Sequence, residues 1–154
     1  MPLKQGTKAP VFSLASTAGN LFSLEETLKG KPCILFFYPK DFTPGCTKEA
    51  CSFRDEFEYF SSVEIPVYGI SRDELVTHIH FKNKFDLPFD LLADETGKVS
   101  KMYRAKVPFL NMTKRITYLL DHDHIIRYSY ENMFGAEKHI EEMKRIIAEL
   151  EVTL

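Results

Sequence analysis

An unbroken apolar run, Cys33-Ile-Leu-Phe-Phe-Tyr38, is followed by Pro39 and then by Thr43-Pro44-Gly45-Cys46, and this junction constrains the chain more than any other stretch. With no polar residue on either set of alternate positions, the run predicts a strand buried on both faces. Pro39 ends it, because proline has no N–H to give a ladder. From Pro44 to about Ser61 the apolar residues fall at 46, 50, 53, 57 and 60, the spacing of a helix with one buried face.

The flanking segments extend the pattern. PVFSLAS and LFSL around TAGN predict an N-terminal β-hairpin, and Ser23 with Glu26 has capping-box spacing for a short helical turn ending near Gly30. Val63 to Ile70 predicts a second core strand, with Pro66 pushing it towards an edge or a bend. Ser71 and Glu74 repeat the capping-box spacing and predict a helix start. LPFDLLAD predicts a short strand and DETGK a turn. Strands at Ile116 to Leu120 and Ile125 to Tyr130 are joined through DHDH, and an amphipathic helix from Gly135 to Val152 closes the chain. This order predicts an α/β fold of three layers around a mixed central sheet. The 154 residues, 44% hydrophobic and without a linker, suit one domain over 1–154.

Composition narrows the function. A formal charge of −2 with interleaved signs offers no nucleic-acid-binding face and no polybasic membrane anchor. The start lacks an apolar signal core, and Ile34 to Tyr38 is far short of the roughly 20 residues needed to span a bilayer, so a soluble cytoplasmic protein is expected. Three cysteines are too few for a disulfide framework and point to thiol chemistry or core packing.

Each cysteine has its own setting. Thr43 is placed as an N-cap and Pro44 as N1, so Cys46 falls in the first helical turn, where unpartnered N–H groups and the helix dipole favour an anion. A thiol of pKa about 8.5 is only ~3% ionised at pH 7, whereas a pKa of about 6 gives ~90% thiolate, the nucleophilic form. Taken alone, Cys46 also fits as a small apolar residue on the buried stripe. Cys51 lies five residues on. On an intact helix that spacing separates the two Cα atoms by roughly 8.5 Å, beyond the roughly 7 Å a disulfide tolerates. Either these thiols never pair or pairing unwinds the first turns. Cys33, in the buried strand with no activating neighbour, reads as core. Lys40 and Lys48 flank the thiol, though such long side chains commonly extend into water.

Pro39-x-x-x-Thr43-x-x-Cys46, continued by Thr47-Lys48-Glu49-Ala50-Cys51, resembles the active-site motif of peroxiredoxins, in particular the Q-type or bacterioferritin comigratory subfamily. KAPVFSL, VYGISRD, LPFDLLAD and KRITYLLD extend the resemblance over nearly the whole chain. The resemblance implies a thioredoxin-like fold and a thiol peroxidase acting on hydrogen peroxide and organic hydroperoxides. It makes Cys46 the peroxidatic cysteine and Cys51 the resolving one, with Thr43, Pro39 and Arg115 completing the site. It also implies recycling of a Cys46–Cys51 disulfide by thioredoxin, no metal or other cofactor, and a monomer or weak dimer. Arg115 is one of six arginines, and its assignment comes from the resemblance alone. Two stretches depart from the pattern: Phe42 stands where many Q-type members carry a smaller or polar residue, and Arg104 to Lys114 is short and poor in glycine.

Other chemistries fit less well. A thioredoxin-like disulfide reductase uses Cys-x-x-Cys, which is absent. A zinc module needs a second ligand pair at fixed distance. His122 and His124 are expected to face solvent across the DHDH turn, His78 and His80 to diverge on a helix, and His139 to lie at the surface. A redox-controlled binding role is compatible with the cysteine pair as an addition to catalysis.

Overall fold

Every residue of β3 (Cys33–Phe37) is buried, as the apolar run requires, and the strand lies inside a seven-stranded sheet. The computed structural model describes residues 1–154. Before β3 come β1 (Ser13–Ser16), β2 (Leu21–Ser23) and α1 (Leu24–Thr27). After it follow α2 (Pro44–Asp55), α3 (Phe57–Ser62), β4 (Val67–Ser71), α4 (Leu75–Lys84), β5 (Asp90–Ala93) and α5 (Lys98–Met102). The chain ends with β6 (Ile116–Leu120), β7 (Ile126–Glu131), α6 (Ala136–Leu150) and a closing 3-10 turn, Glu151–Thr153.

The strand order is β2-β1-β5-β4-β3-β6-β7. The β3/β4 and β4/β5 pairs are parallel and the rest antiparallel, so the sheet is mixed and the N-terminal hairpin extends it. Alternation along β3 divides the core. Cys33, Leu35 and Phe37 face a cluster with Phe12, Phe22, Tyr103 and Tyr118, under α1 and α5. Ile34, Phe36 and Tyr38 face the other side, with Cys46, Phe53, Phe60, Phe81, Ile140 and Met143 from α2, α3, α4 and α6. In register with Phe36 and Leu91 lies Gly69. A Cβ there would stand 2.7 Å from the Phe36 ring and 2.8 Å from Leu91, so only glycine leaves room for the ring. No helix is long and apolar enough to cross a membrane.

Several elements differ from the sequence reading. The helix expected over 44–61 breaks at Glu56 (φ −103°, ψ 13°), with no proline or glycine to mark it. The Glu56 carboxylate instead reaches Lys144 of α6 at 2.9 Å. Pro66 does not move its strand to an edge: β4 begins one residue later and runs between β3 and β5, while the Pro66 carbonyl accepts from the Ile34 N–H at 2.9 Å. Ser71 opens no helix. It is the last strand residue, opposite Ala93, and its hydroxyl is engaged with Asp73, so α4 starts after Glu74. The five-residue helix α5, entered through Gly97 at φ 76°, carries too little periodicity to be read. The Ser23 cap forms through the Glu26 N–H. β6 matches its predicted limits, and β7 begins at Ile126, past a bulge at Leu119/Leu120.

Candidate active site

The chain leaves the sheet after Phe37 and crosses to α2 in six residues, 38–43, with Pro39 second among them. Phe42 adopts φ 64°, a left-handed conformation that costs a bulky residue about 1–3 kcal/mol unless its surroundings impose it. Its ring, 45% exposed, packs on Phe81 and Phe85 with centroids 5.1 Å and 6.3 Å away. Thr43 is the N-cap residue and Pro44 is N1, but the threonine hydroxyl does not cap the helix. It donates to the Lys40 carbonyl at 2.7 Å. With its proton committed, this oxygen can offer a further partner only its lone pairs.

Cys46, 1% exposed, lies in the first turn of α2. Its Sγ accepts from the Lys40 backbone N–H at 3.5 Å and from Arg115 Nη2 at 3.4 Å. A guanidinium donor of this kind binds an anionic sulfur better than a neutral one. Arg115 directly precedes β6 and is buried. Three contacts fix it: Nε donates to the Met133 carbonyl at 3.0 Å, Nη1 to Glu49 Oε1 at 2.7 Å, and Nη2 to the sulfur. Gly45 permits the approach, since a Cβ there would stand 2.9 Å from Arg115 Nη2. Cys46 and Arg115 are thus brought into contact and Thr43 is joined to them through Lys40, while Pro39 lies one residue before Lys40 in the same loop.

Glu49 escaped the sequence reading. It lies one turn beyond Cys46 on the same buried face of α2, and a carboxylate on an apolar stripe is the signal that could have found it. Its Oε2 has no hydrogen-bond partner and faces His139 Nδ1 at 3.5 Å. His139 was expected at the surface; it is fully buried on α6. Its Nε2 is 2.9 Å from the Asn132 carbonyl, which can only accept, so Nε2 carries the proton and Nδ1 accepts from Thr117 Oγ1 at 2.8 Å. Burial pushes the Glu49 carboxyl up to about 8 against the pull of Arg115. Burial likewise pulls His139 down to about 4, with Asn132 opposing and Arg115 assisting.

The two shifts predict a pH profile for stability. Glu49 holds its proton more tightly folded than unfolded, so its contribution is full below pH 4.5 and is lost as pH rises to about 8. His139 holds its proton less tightly folded, so its contribution is present above pH 6.5 and is lost as pH falls to about 4. Between pH 4.5 and 6.5 the slopes oppose; from 6.5 to about 8 only the Glu49 slope remains. Urea unfolding of the reduced protein is expected to show stability falling over that upper window, and Glu49→Gln is expected to flatten the fall. An unchanged slope in the variant would assign it elsewhere.

The other two cysteines differ in kind. Cys51 is partly exposed on another flank of α2; burial raises its thiol, Arg54 lowers it and Asp55 raises it. The helix is continuous from Pro44 to Asp55, and all three cysteines are free. Cys33 is buried on the opposite side of the sheet from Cys46, and desolvation drives its thiol far above the ordinary range. Lys48 pairs with Glu137 at the surface, 3.2 Å apart. The 104–114 loop is closed by a Lys106/Thr113 bridge and leaves the Phe109 ring fully exposed.

The remaining histidines divide. His122 is exposed as expected, whereas His124 is buried at φ 59° with Nε2 on the Leu28 and Lys31 carbonyls at 2.8 and 3.1 Å. His80 is exposed and His78 fully buried, so this pair does diverge.

Residues 5–129 match the AhpC/TSA family. The chain is 43% identical over 149 residues to peroxiredoxin Q, chloroplastic, of Oryza sativa subsp. japonica, covering 96% of this chain and 68% of the relative. It is 44% identical over 132 residues to a Coxiella burnetii protein named as peroxiredoxin bcp, covering 82% and 87%. The crystal structure of peroxidoxin BcpB from Mycobacterium tuberculosis superposes with a TM-score of 0.89 at 30% identity, over 96% of this chain and 98% of that one. With the thioredoxin-like sheet beneath it, the chain belongs to the AhpC/TSA family and, within it, to the peroxiredoxin Q (bacterioferritin comigratory protein) branch.

Proposed function

We propose that this peroxidase reduces hydrogen peroxide and organic hydroperoxides at Cys46, resolves the oxidised sulfur through Cys51, and is recycled by thioredoxin. The observation that carries the reading is the convergence of the Lys40 N–H and the Arg115 guanidinium on a buried Cys46 sulfur at 3.5 and 3.4 Å. The Cys46 thiolate attacks one peroxide oxygen; an S–O bond forms, the O–O bond breaks, and the departing hydroxide or alkoxide takes up a proton as water or alcohol. Arg115 and the amide donate to the oxygens as charge moves onto the leaving group. The Thr43 hydroxyl, committed as a donor to Lys40, accepts the peroxide O–H. Pro39 presents no N–H and shields the sulfur.

The first turns of α2 then unwind. Cys51 attacks the Cys46 sulfenic sulfur, forming the S–S bond and expelling hydroxide, which leaves as water after protonation. An external dithiol reduces the disulfide, and thioredoxin is the reductant of this chemistry that the family resemblance suggests. A second peroxide meeting the sulfenic acid before unwinding gives irreversible sulfinic acid. The protein acts in this reading as a monomer or weak dimer in the cytoplasm.

NADPH consumption coupled through thioredoxin and its reductase tests the cycle. Wild type is expected to turn over with hydrogen peroxide and with an organic hydroperoxide. Cys51→Ser is expected to lose coupled turnover while still reducing one equivalent of peroxide. Unimpaired coupling in Cys51→Ser would remove Cys51 from the cycle.

A further inference from the structure

The loop 39–43 carries the Lys40 N–H that meets the sulfur, the Lys40 carbonyl that orients Thr43, and the strained Phe42. One buried side chain holds it. Asp41, 3% exposed, accepts from the Tyr38 hydroxyl through Oδ1 at 2.6 Å and meets His78 Nδ1 through Oδ2 at 2.6 Å. Its backbone N–H donates to Asp73 Oδ2 at 2.9 Å. His78, fully buried on α4, directs Nε2 to the Leu92 carbonyl of β5 at 3.1 Å. A carbonyl only accepts, so Nε2 carries a proton, and the 2.6 Å contact at Nδ1 requires another between nitrogen and carboxylate. Phe42 adds an apolar contact to Phe81 of the same helix. The loop is therefore tied to α4 and β5, while the segment that must unwind belongs to α2.

We propose that His78, acting through Asp41, is a positioning residue that holds the 39–43 loop in its peroxide-reactive form and sets how readily oxidised Cys46 is released to Cys51. The proposal rests on the two-cysteine cycle above. Weakening the tie misplaces the Lys40 N–H and the Thr43 hydroxyl, which slows the peroxide step, and it frees the hinge of α2, which speeds disulfide formation. The same shift lowers over-oxidation, because less sulfenic acid waits in the wound form.

Two conservative variants separate positioning from general packing. An asparagine amide overlays Nδ1 and can donate to Asp41; a glutamine amide overlays Nε2 and can reach only Leu92. In single turnovers quenched and read by mass, His78→Gln is expected to slow the peroxide step by about tenfold or more, to speed the conversion of sulfenic acid to disulfide, and to lower the sulfinic fraction at high peroxide. His78→Asn is expected to keep most of the wild-type partition. Asp41→Asn, which keeps size and removes the charge, is expected to shift the partition as His78→Gln does and carries the test if that variant does not fold. Equal behaviour of the two His78 variants, or an Asp41→Asn partition equal to wild type, would overturn the proposal. Failure of the wild type to form any Cys46–Cys51 disulfide would instead overturn the cycle it rests on.

Discussion

Cys46→Ser is expected to lower peroxide consumption by the reduced protein at least about a thousandfold, because a site stripped of its nucleophile retains only background catalysis. A serine hydroxyl in the same place keeps the Lys40 and Arg115 donors but supplies no thiolate. Neither remaining cysteine can stand in. Cys33 is sealed behind the sheet with its thiol driven far up by burial. Cys51 lies outside the donor cluster, and burial raises its thiol as well. Residual peroxide loss above about a tenth of wild type, measured colorimetrically on the reduced protein, would place the nucleophile elsewhere.

Arg115→Met is expected to slow the reaction of reduced enzyme with hydrogen peroxide by about 10²–10³-fold, the cost of removing one donor aimed at developing charge. The fold is expected to tolerate it. Burial already holds the Glu49 carboxyl up to about 8, so near neutral pH loss of the guanidinium leaves a neutral acid in the core, which costs far less than an unpaired buried carboxylate. Arg115→Lys keeps the charge but not the fork, and one ammonium cannot span the Met133 carbonyl, Glu49 and the Cys46 sulfur as the guanidinium does. Its rate is expected between those of the methionine variant and wild type. Competition kinetics against a second peroxide scavenger reads these rates. A methionine variant within about threefold of wild type would mean that the guanidinium does not assist the peroxide step.

What the sequence revealed and what it hid follow from the range of the interactions. β3, β6 and the N-terminal hairpin are written in local apolar patterns, and the start of α2 in the Thr43-Pro44 pair, so their positions follow from neighbours in the chain. The break at Glu56 and the start of α4 after Glu74 have no proline, glycine or shift of periodicity to mark them. The same holds in the site. Cys46 and Thr43 stand in one local motif, whereas Arg115, just ahead of β6, lies 69 residues away and is reached through resemblance alone. Glu49 was visible as a carboxylate on a buried stripe, but its meaning required Arg115 beneath it. His139 reads as a surface residue because its partner Thr117 lies 22 positions away, and His78 reads only as diverging from His80 because its partner Asp41 lies 37 positions away. A buried histidine is defined by such partners and leaves no mark on its own segment.

One segment, wound, holds Cys46 in its proposed reactive setting and, unwound, delivers it to Cys51. Peptide mass mapping of the reduced protein after one equivalent of hydrogen peroxide tests it directly. The expected result is the loss of two thiols and a single crosslink, Cys46 to Cys51, within one chain, with Cys33 still free. A crosslink through Cys33, or a sulfenic acid that persists with Cys51 unreacted, would contradict it.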